Sequence, residues 1–169
     1  MLACIIWLAF LFPAGAVQTG REDVVEIFKG GKMGVSAEGA LLVSLTNKNG
    51  SSISKGYLVH GTTTDSGVSL TDVGDPDIMG VVYDTTCADG ATCWIAIQGI
   101  ADVYFGTTTT HDHIARMTAS GDTGAADGVA ISEPVPTSPF ATDKHFQEIG
   151  HVLEDIGGAG LAKTLIHFN

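Results

Sequence analysis

Asp77-Ile78-Met79-Gly80-Val81-Val82-Tyr83-Asp84, a glycine-containing turn, and Cys93-Trp94-Ile95-Ala96-Ile97-Gln98 make a phrase that this chain repeats. The second occurrence reads Glu148-Ile149-Gly150-His151-Val152-Leu153-Glu154-Asp155, then Gly157-Gly158-Ala159-Gly160, then Lys163-Thr164-Leu165-Ile166-His167-Phe168. Gly80 and Gly150 fall in register, as do Val82 with Val152 and Gly90 with Gly160. Each copy is a short apolar strand, an acidic residue, a glycine turn and a second apolar strand, the pattern of a β-hairpin. A unit written twice predicts a duplicated β architecture. Gly80 and Gly150 should then take equivalent strand positions, with Val82 and Val152 both pointing into the core.

The rest of the chain is punctuated in the same way. Short apolar runs at 23–28, 41–46, 53–60, 67–70 and 100–105 read as strands, separated by turn clusters such as Asn47-Lys48-Asn49-Gly50-Ser51-Ser52. The runs at 114–118 and 128–131 mirror those at 57–59 and 67–70 of the first copy. No segment carries helical periodicity over several turns; a short helix near 141–147 is the one candidate. The stretch 133–143 holds Pro134, Pro136 and Pro139 and reads as a surface excursion. The expected fold is all-β: a compact β-barrel or sandwich of about nine to eleven strands, built around two related hairpin units. An apolar N-terminal arm or signal-like segment occupies residues 1–20, and the β domain residues 21–169.

Composition agrees. The 169 residues include 22 glycines, and 16% are charged, far from the Ala/Leu/Glu/Lys density of long helices. A net charge of −11 argues against a nucleic-acid partner, which needs clustered Lys and Arg. Cys87 and Cys93 flank an expected hairpin tip, where either a cross-strand disulfide or two free, half-buried thiols fits; their spacing, with no second pair, is poor for zinc.

Residues 1–12 are unbroken apolar, including Ile5, Ile6, Trp7, Phe10 and Phe12, and Ala14-Gly15-Ala16 resembles a signal-peptidase site. The basic residues of a signal sequence are missing before Arg21, and the run is short for a membrane span. Three readings stay open: an arm buried against protein, a cleaved signal, or a membrane anchor. The first makes Ile5, Ile6, Trp7, Phe10 and Phe12, with Pro134, Pro136 and Pro139, the candidate interface residues.

Groups that could carry chemistry are sparse. His111-Asp112-His113 places two imidazoles on one face if extended, but no third ligand lies nearby in sequence; a solvated loop without metal is expected. Asp72, Asp75 and Asp77 lack the spacing of a calcium loop and read as an acidic turn. Glu154-Asp155 reads as a solvated strand end. No Gly-x-Ser-x-Gly elbow or phosphate-binding glycine loop occurs, so no catalytic or cofactor-binding residue is assigned and no cofactor is expected. Trp94 and Ile95 alternate, so one of them should face outward, with Trp94 the more natural core residue.

Val43-Ser44-Leu45-Thr46-Asn47-Lys48-Asn49-Gly50-Ser51-Ser52-Ile53-Ser54-Lys55-Gly56-Tyr57-Leu58-Val59 resembles the opening of many small virion proteins of tailed bacteriophages. Ile78-Met79-Gly80-Val81-Val82, Gly99-Ile100-Ala101-Asp102-Val103, His113-Ile114-Ala115-Arg116, Ile149-Gly150-His151-Val152-Leu153-Glu154 and Leu165-Ile166-His167-Phe168-Asn169 resemble later steps of the same pattern, in the same order. His113-Ile114-Ala115-Arg116 lacks the glycine usual there. The resemblance covers Leu41 to Asn169 and is to capsid decoration (cement) and head-fibre proteins. It implies a β-rich, non-catalytic protein on the outer surface of a virion capsid. The partners it implies are the major capsid protein and further copies of the chain as a homotrimer, with no membrane in the assembled form. The alternative is a secreted or surface-anchored β-rich binding module.

Overall fold

The computed structural model describes residues 24–26, 32–135 and 147–168. Among them are thirteen strands: β1 (Val24–Glu26), β2 (Met33–Ser36), β3 (Leu41–Asn47), β4 (Ile53–Ser54), β5 (Leu58–Gly61), β6 (Gly67–Leu70), β7 (Gly80–Val82), β8 (Thr86–Cys87), β9 (Thr92–Phe105), β10 (Ile114–Met117), β11 (Ala130–Glu133), β12 (Glu148–Val152) and β13 (Gly160–His167). The described residues contain no helix, so none is long and apolar enough to cross a membrane. The candidate helix at 141–147 falls almost wholly outside the described residues, as do Ile5, Ile6, Trp7, Phe10, Phe12, Pro136 and Pro139. Pro134 and Val135 are exposed.

The strands close two rings. In the first, β3 pairs with β6, β6 with β5, β5 with β7, β7 with β9, and β9 returns to β3. In the second, β9 pairs with β11, β11 with β10, β10 with β12, β12 with β13, and β13 returns to β9. The rings share β9, whose first half belongs to one and whose second half belongs to the other. Directions match as well: β3–β6 and β9–β11 are the parallel pairs, and every other pair in either ring is antiparallel. Closure satisfies the ladder hydrogen bonds all round and leaves no open edge within a ring.

The registers make the duplication quantitative. Gly80 pairs with Val59 and Gly150 with Ala115, so Val59 corresponds to Ala115. Val82 pairs with Ile95 and Val152 with Thr164, so Ile95 corresponds to Thr164. Ile95 pairs with Val43 and Thr164 with Ala101, so Val43 corresponds to Ala101. Further along the same strands, Leu45 stands for Val103 and Asn47 for Phe105. Asn47 pairs with Val68 and Phe105 with Ala130, and these pair in turn with Gly61 and Met117. Two residues before Gly61 and Met117 lie Val59 and Ala115, so the correspondence closes on itself. Gly80 and Gly150 occupy equivalent positions, and Val82 and Val152 are both buried, as the sequence predicts.

The two interiors are filled differently. Val59, Val68, Val82 and Ile95 pack together in the first ring. Their counterparts Ala115, Ala130, Val152 and Thr164 are equally buried but mostly smaller. Phe105 and Met117 lie across the ladder on either side of Ala130 and replace the missing volume, where the first ring has Asn47 and Gly61. The back of the first ring's wall is buried too: Leu42, Leu58, Val81, Trp94 and Ala96 join the cluster that contains the second ring's core. Trp94 and Ile95 are therefore both buried, correcting the expectation that one faces outward. Alternation along a strand sorts residues to two faces, but here both faces meet apolar neighbours.

Two further boundaries differ from the sequence reading. The run at 53–60 divides into β4 and β5 around a turn at Gly56 (φ 86°). The runs at 93–98 and 100–105 are one strand, because Gly99 carries the chain onward at φ 93° against the Gly39–Ala40 backbone, beside a register shift at Leu41/Leu42. Strand β2 has no counterpart among the expected runs.

Cys87 and Cys93 are joined in a disulfide, so of the two states that fitted the sequence the oxidised one is present. It closes a short loop beside the β4–β8 pair. Replacing both by serine is expected to lower the unfolding free energy by about 2 kcal/mol through restored unfolded-chain entropy. Equilibrium denaturation with and without reductant measures it.

Candidate functional site

The duplication exposes a site by contrast. On β12 and β13, the side chains of His151, Leu161, Lys163, Leu165 and His167 share the face directed away from the second ring's interior, since they alternate with Val152, Ala162, Thr164 and Ile166. The counterpart of Leu165 in the first ring is Ala96, which is fully buried, while Leu165 is 41% exposed. Leu161 (40%) and Leu153 (47%) continue the strip, the latter donating its backbone N–H to the Lys163 carbonyl. The second ring thus presents to solvent a wall that the first ring buries.

At one end of this wall three ligating groups converge. His151 stands where the first copy has Val81, and His167 where it has Gln98. Glu148 takes the place of Ile78, two residues ahead of the shared glycine. His151 and His167 are diagonal neighbours across the β12–β13 ladder, with ring centroids 5.2 Å apart. Glu148 reaches the same side because the β10–β12 ladder is irregular there: Ala115 faces Gly150 and Arg116 faces Glu148, leaving Ile149 as an extra residue. Such a bulge re-aims the side chains that flank it. The Glu148 side chain is 5% exposed, and its Oε1 lies 3.6 Å from Nε2 of His151 and 3.6 Å from Nε2 of His167. One ligand atom from each of the three residues lies within 4.8 Å of the others.

The sequence motif His111-Asp112-His113 is not brought together in this way. Asp112 adopts φ 65°, which breaks the extended geometry that would align the imidazoles. His111 Nδ1 lies 3.0 Å from Asp155 Oδ1, whereas His113 Nδ1 lies 3.1 Å from Ser132 Oγ. The Asp155 hydrogen bond raises the His111 pKa, and the His111 backbone N–H, with its ring, lowers that of Asp155. Their attraction is present between the two shifted values. It is lost as pH rises through the His111 pKa or falls through that of Asp155; both groups are at the surface, so it is weak. Asp75 accepts from the Asp77 N–H and lies 3.4 Å from His60, as in a local polar turn.

Arg116 is a different matter. It is buried, and its guanidinium spans two carboxylates: Nε and Nη2 donate to Glu133 at 2.8 and 3.0 Å, Nη1 and Nη2 to Asp122 at 2.9 and 3.2 Å. Nη1 also donates to the Met117 carbonyl at 2.7 Å. Glu133 foremost, then Asp122, holds the guanidinium protonated against desolvation. This cluster ties β10 and β11 to the loop that joins them.

No family model matches this chain, and no curated protein sequence matches it. Among solved structures, the N base of head fiber gp8.5 of bacteriophage phi29 is similar: 14% identical, TM-score 0.48, covering 76% of this chain and 96% of that one. A likeness at that level carries no function with it.

Glu148, His151 and His167 were not singled out by sequence. Part of their signal was there: the sequence register sets His151 against Val81 and His167 against Ile97, apolar against ligating side chains, whereas the ladders offset the second strand of each hairpin by one residue and set His167 against Gln98.

Proposed function

We propose that the chain is a non-catalytic structural protein of a phage virion that docks on the outside of the capsid and stabilises it. The ordered resemblance from Leu41 to Asn169 points to that class. The observation that carries the docking is the wall of the second ring, where Leu153, Leu161 and Leu165 stand exposed on the same side. A copy that buries this wall against capsid subunits adds contact that exists only in the assembled shell, and so favours assembly by mass action. The major capsid protein is the partner, and homotrimer formation would multiply weak contacts into firm attachment. Pro134 and Val135 form a second exposed apolar point.

Purified particles should contain the chain at a fixed ratio to the major capsid protein. Leu161→Asp with Leu165→Asp should lower particle occupancy at least about tenfold, roughly 1.4 kcal/mol, with the unfolding midpoint within a few degrees of wild type. Absence from particles, or unchanged occupancy in the variant, would sink the respective halves of the reading.

The Cys87–Cys93 disulfide favours a second reading, a secreted or surface-anchored binding module, because disulfides persist in oxidising compartments. Virion surfaces are also oxidising, so the bond alone does not separate the two. Intact-mass measurement of the mature protein does: loss of residues 1–16 supports secretion.

A further inference from the structure

We propose that Glu148, His151 and His167 form a binding site for a single transition-metal ion, zinc by preference. Two imidazole nitrogens and one carboxylate oxygen make a borderline donor set suited to zinc, cobalt, nickel or copper, and unsuited to calcium and magnesium, which take oxygen ligands. Around a tetrahedral zinc with bonds of about 2.0–2.1 Å, donor atoms stand about 3.3–3.4 Å apart. The Glu148 oxygen lies 3.6 Å from both histidine nitrogens, so closure needs movements of a few tenths of an ångström on that side. The two histidines reach solvent and can turn toward each other by side-chain rotation.

The argument rests on more than proximity. Glu148 is a carboxylate removed from solvent, fixed by a bulge, with both imidazoles aimed at one of its oxygens. The first copy, on the same backbone plan, has Ile78, Val81 and Gln98 there. The three ligating residues are therefore an addition to the duplicated fold and not a requirement of it. A bound ion would tie the start of β12 to the end of β13. Its fourth coordination position would face solvent beside Leu165, open to water or to a side chain of a neighbouring molecule.

Titration of the intact, chelator-treated chain with zinc chloride should show one ion bound per chain. Cobalt(II) should give the strong visible absorption of a four-coordinate site. Restoring the first copy's residues, His151→Val with His167→Gln, should weaken zinc binding at least about a hundredfold, roughly 2.7 kcal/mol, while circular dichroism remains that of wild type. Glu148→Gln should weaken it less, retaining both nitrogens. His111→Ala with His113→Ala should leave it unchanged. Calcium chloride should neither compete nor shift the unfolding midpoint. Failure of the wild-type chain to bind zinc, equal affinity in the His151→Val, His167→Gln chain, loss of binding in the His111, His113 variant alone, or displacement by equimolar calcium would each overturn the assignment.

Discussion

Replacing Arg116 by alanine is expected to lower the unfolding free energy by about 3–5 kcal/mol, the range for breaking a buried ion pair from one side. The guanidinium sits between Glu133 and Asp122 with a hydrogen bond to the Met117 carbonyl. Its removal leaves two carboxylates facing each other across the space it filled, both only partly solvated. Their desolvation then loses the charge that offset it, although Asp122 still accepts from the Ala119 N–H, and their mutual repulsion is added. Lysine is a poor substitute, since a point charge cannot serve two forks at once. Glu133→Gln should cost less, because the charge on Arg116 keeps Asp122 as a partner. Urea denaturation of the three variants tests the ordering. A loss below about 1 kcal/mol for Arg116→Ala, the value of a surface pair, would show that the cluster does not act as a buried ion pair.

The hairpins and their duplication were legible because they are written locally. Alternation of period two, a glycine at a fixed step and a turn cluster each act within a few residues. The mirrored runs at 57–59 with 67–70 and 114–118 with 128–131 also survive in the structure as β5 with β6 and β10 with β11. Ring closure was not legible. It depends on the parallel β3–β6 and β9–β11 pairings, which join segments with no periodic relation in the sequence. Nor was the double burial at Trp94 and Ile95, which is decided by the second ring's core lying behind the first ring's wall.

The candidate sites show the same division. His111 and His113 were conspicuous because they are close in sequence, yet one backbone angle at Asp112 directs them to different partners. Glu148, His151 and His167 come together only through strand pairing and a bulge, neither of which a single sequence displays. What it did display was the divergence between copies. In a duplicated fold, positions that keep their residue type in both copies serve the common architecture, as Gly80 and Gly150 do. Positions that change from non-ligating to ligating, in a cluster, record what one copy does beyond folding. The same comparison picks out the exposed leucines: Ala96 is buried by its own chain and Leu165 is not.

The shared glycines provide the sharpest test of the duplication, because their environments are alike and their backbones are not. A Cβ on Gly150 would strike the Leu165 carbonyl oxygen and come within 2.9 Å of the Ile166 Cα. Both are backbone atoms of the neighbouring strand, so the clash is relieved only by parting β12 from β13. Gly150 also adopts φ 152°, where an L-residue is strained. Gly150→Ala is therefore expected to cost about 3 kcal/mol or more, from strain of about 1–3 kcal/mol and overpacking of similar size. A Cβ on Gly80 would meet the equivalent carbonyl, that of Ala96, at 2.7 Å, and the Ile95 Cγ2 at 2.5 Å. Its φ is not in the positive region, however, and the isoleucine methyl is a side-chain end that can shift. Gly80→Ala should consequently cost about 1–3 kcal/mol, from overpacking alone. Because Gly150 precedes His151 and follows Glu148 by two residues, Gly150→Ala should also weaken zinc binding, whereas Gly80→Ala should leave it intact. Thermal unfolding of both variants, each with and without zinc, separates the two effects. Equal destabilisation would mean that the clash with the facing carbonyl, common to both copies, dominates and that the backbone angle at Gly150 contributes little.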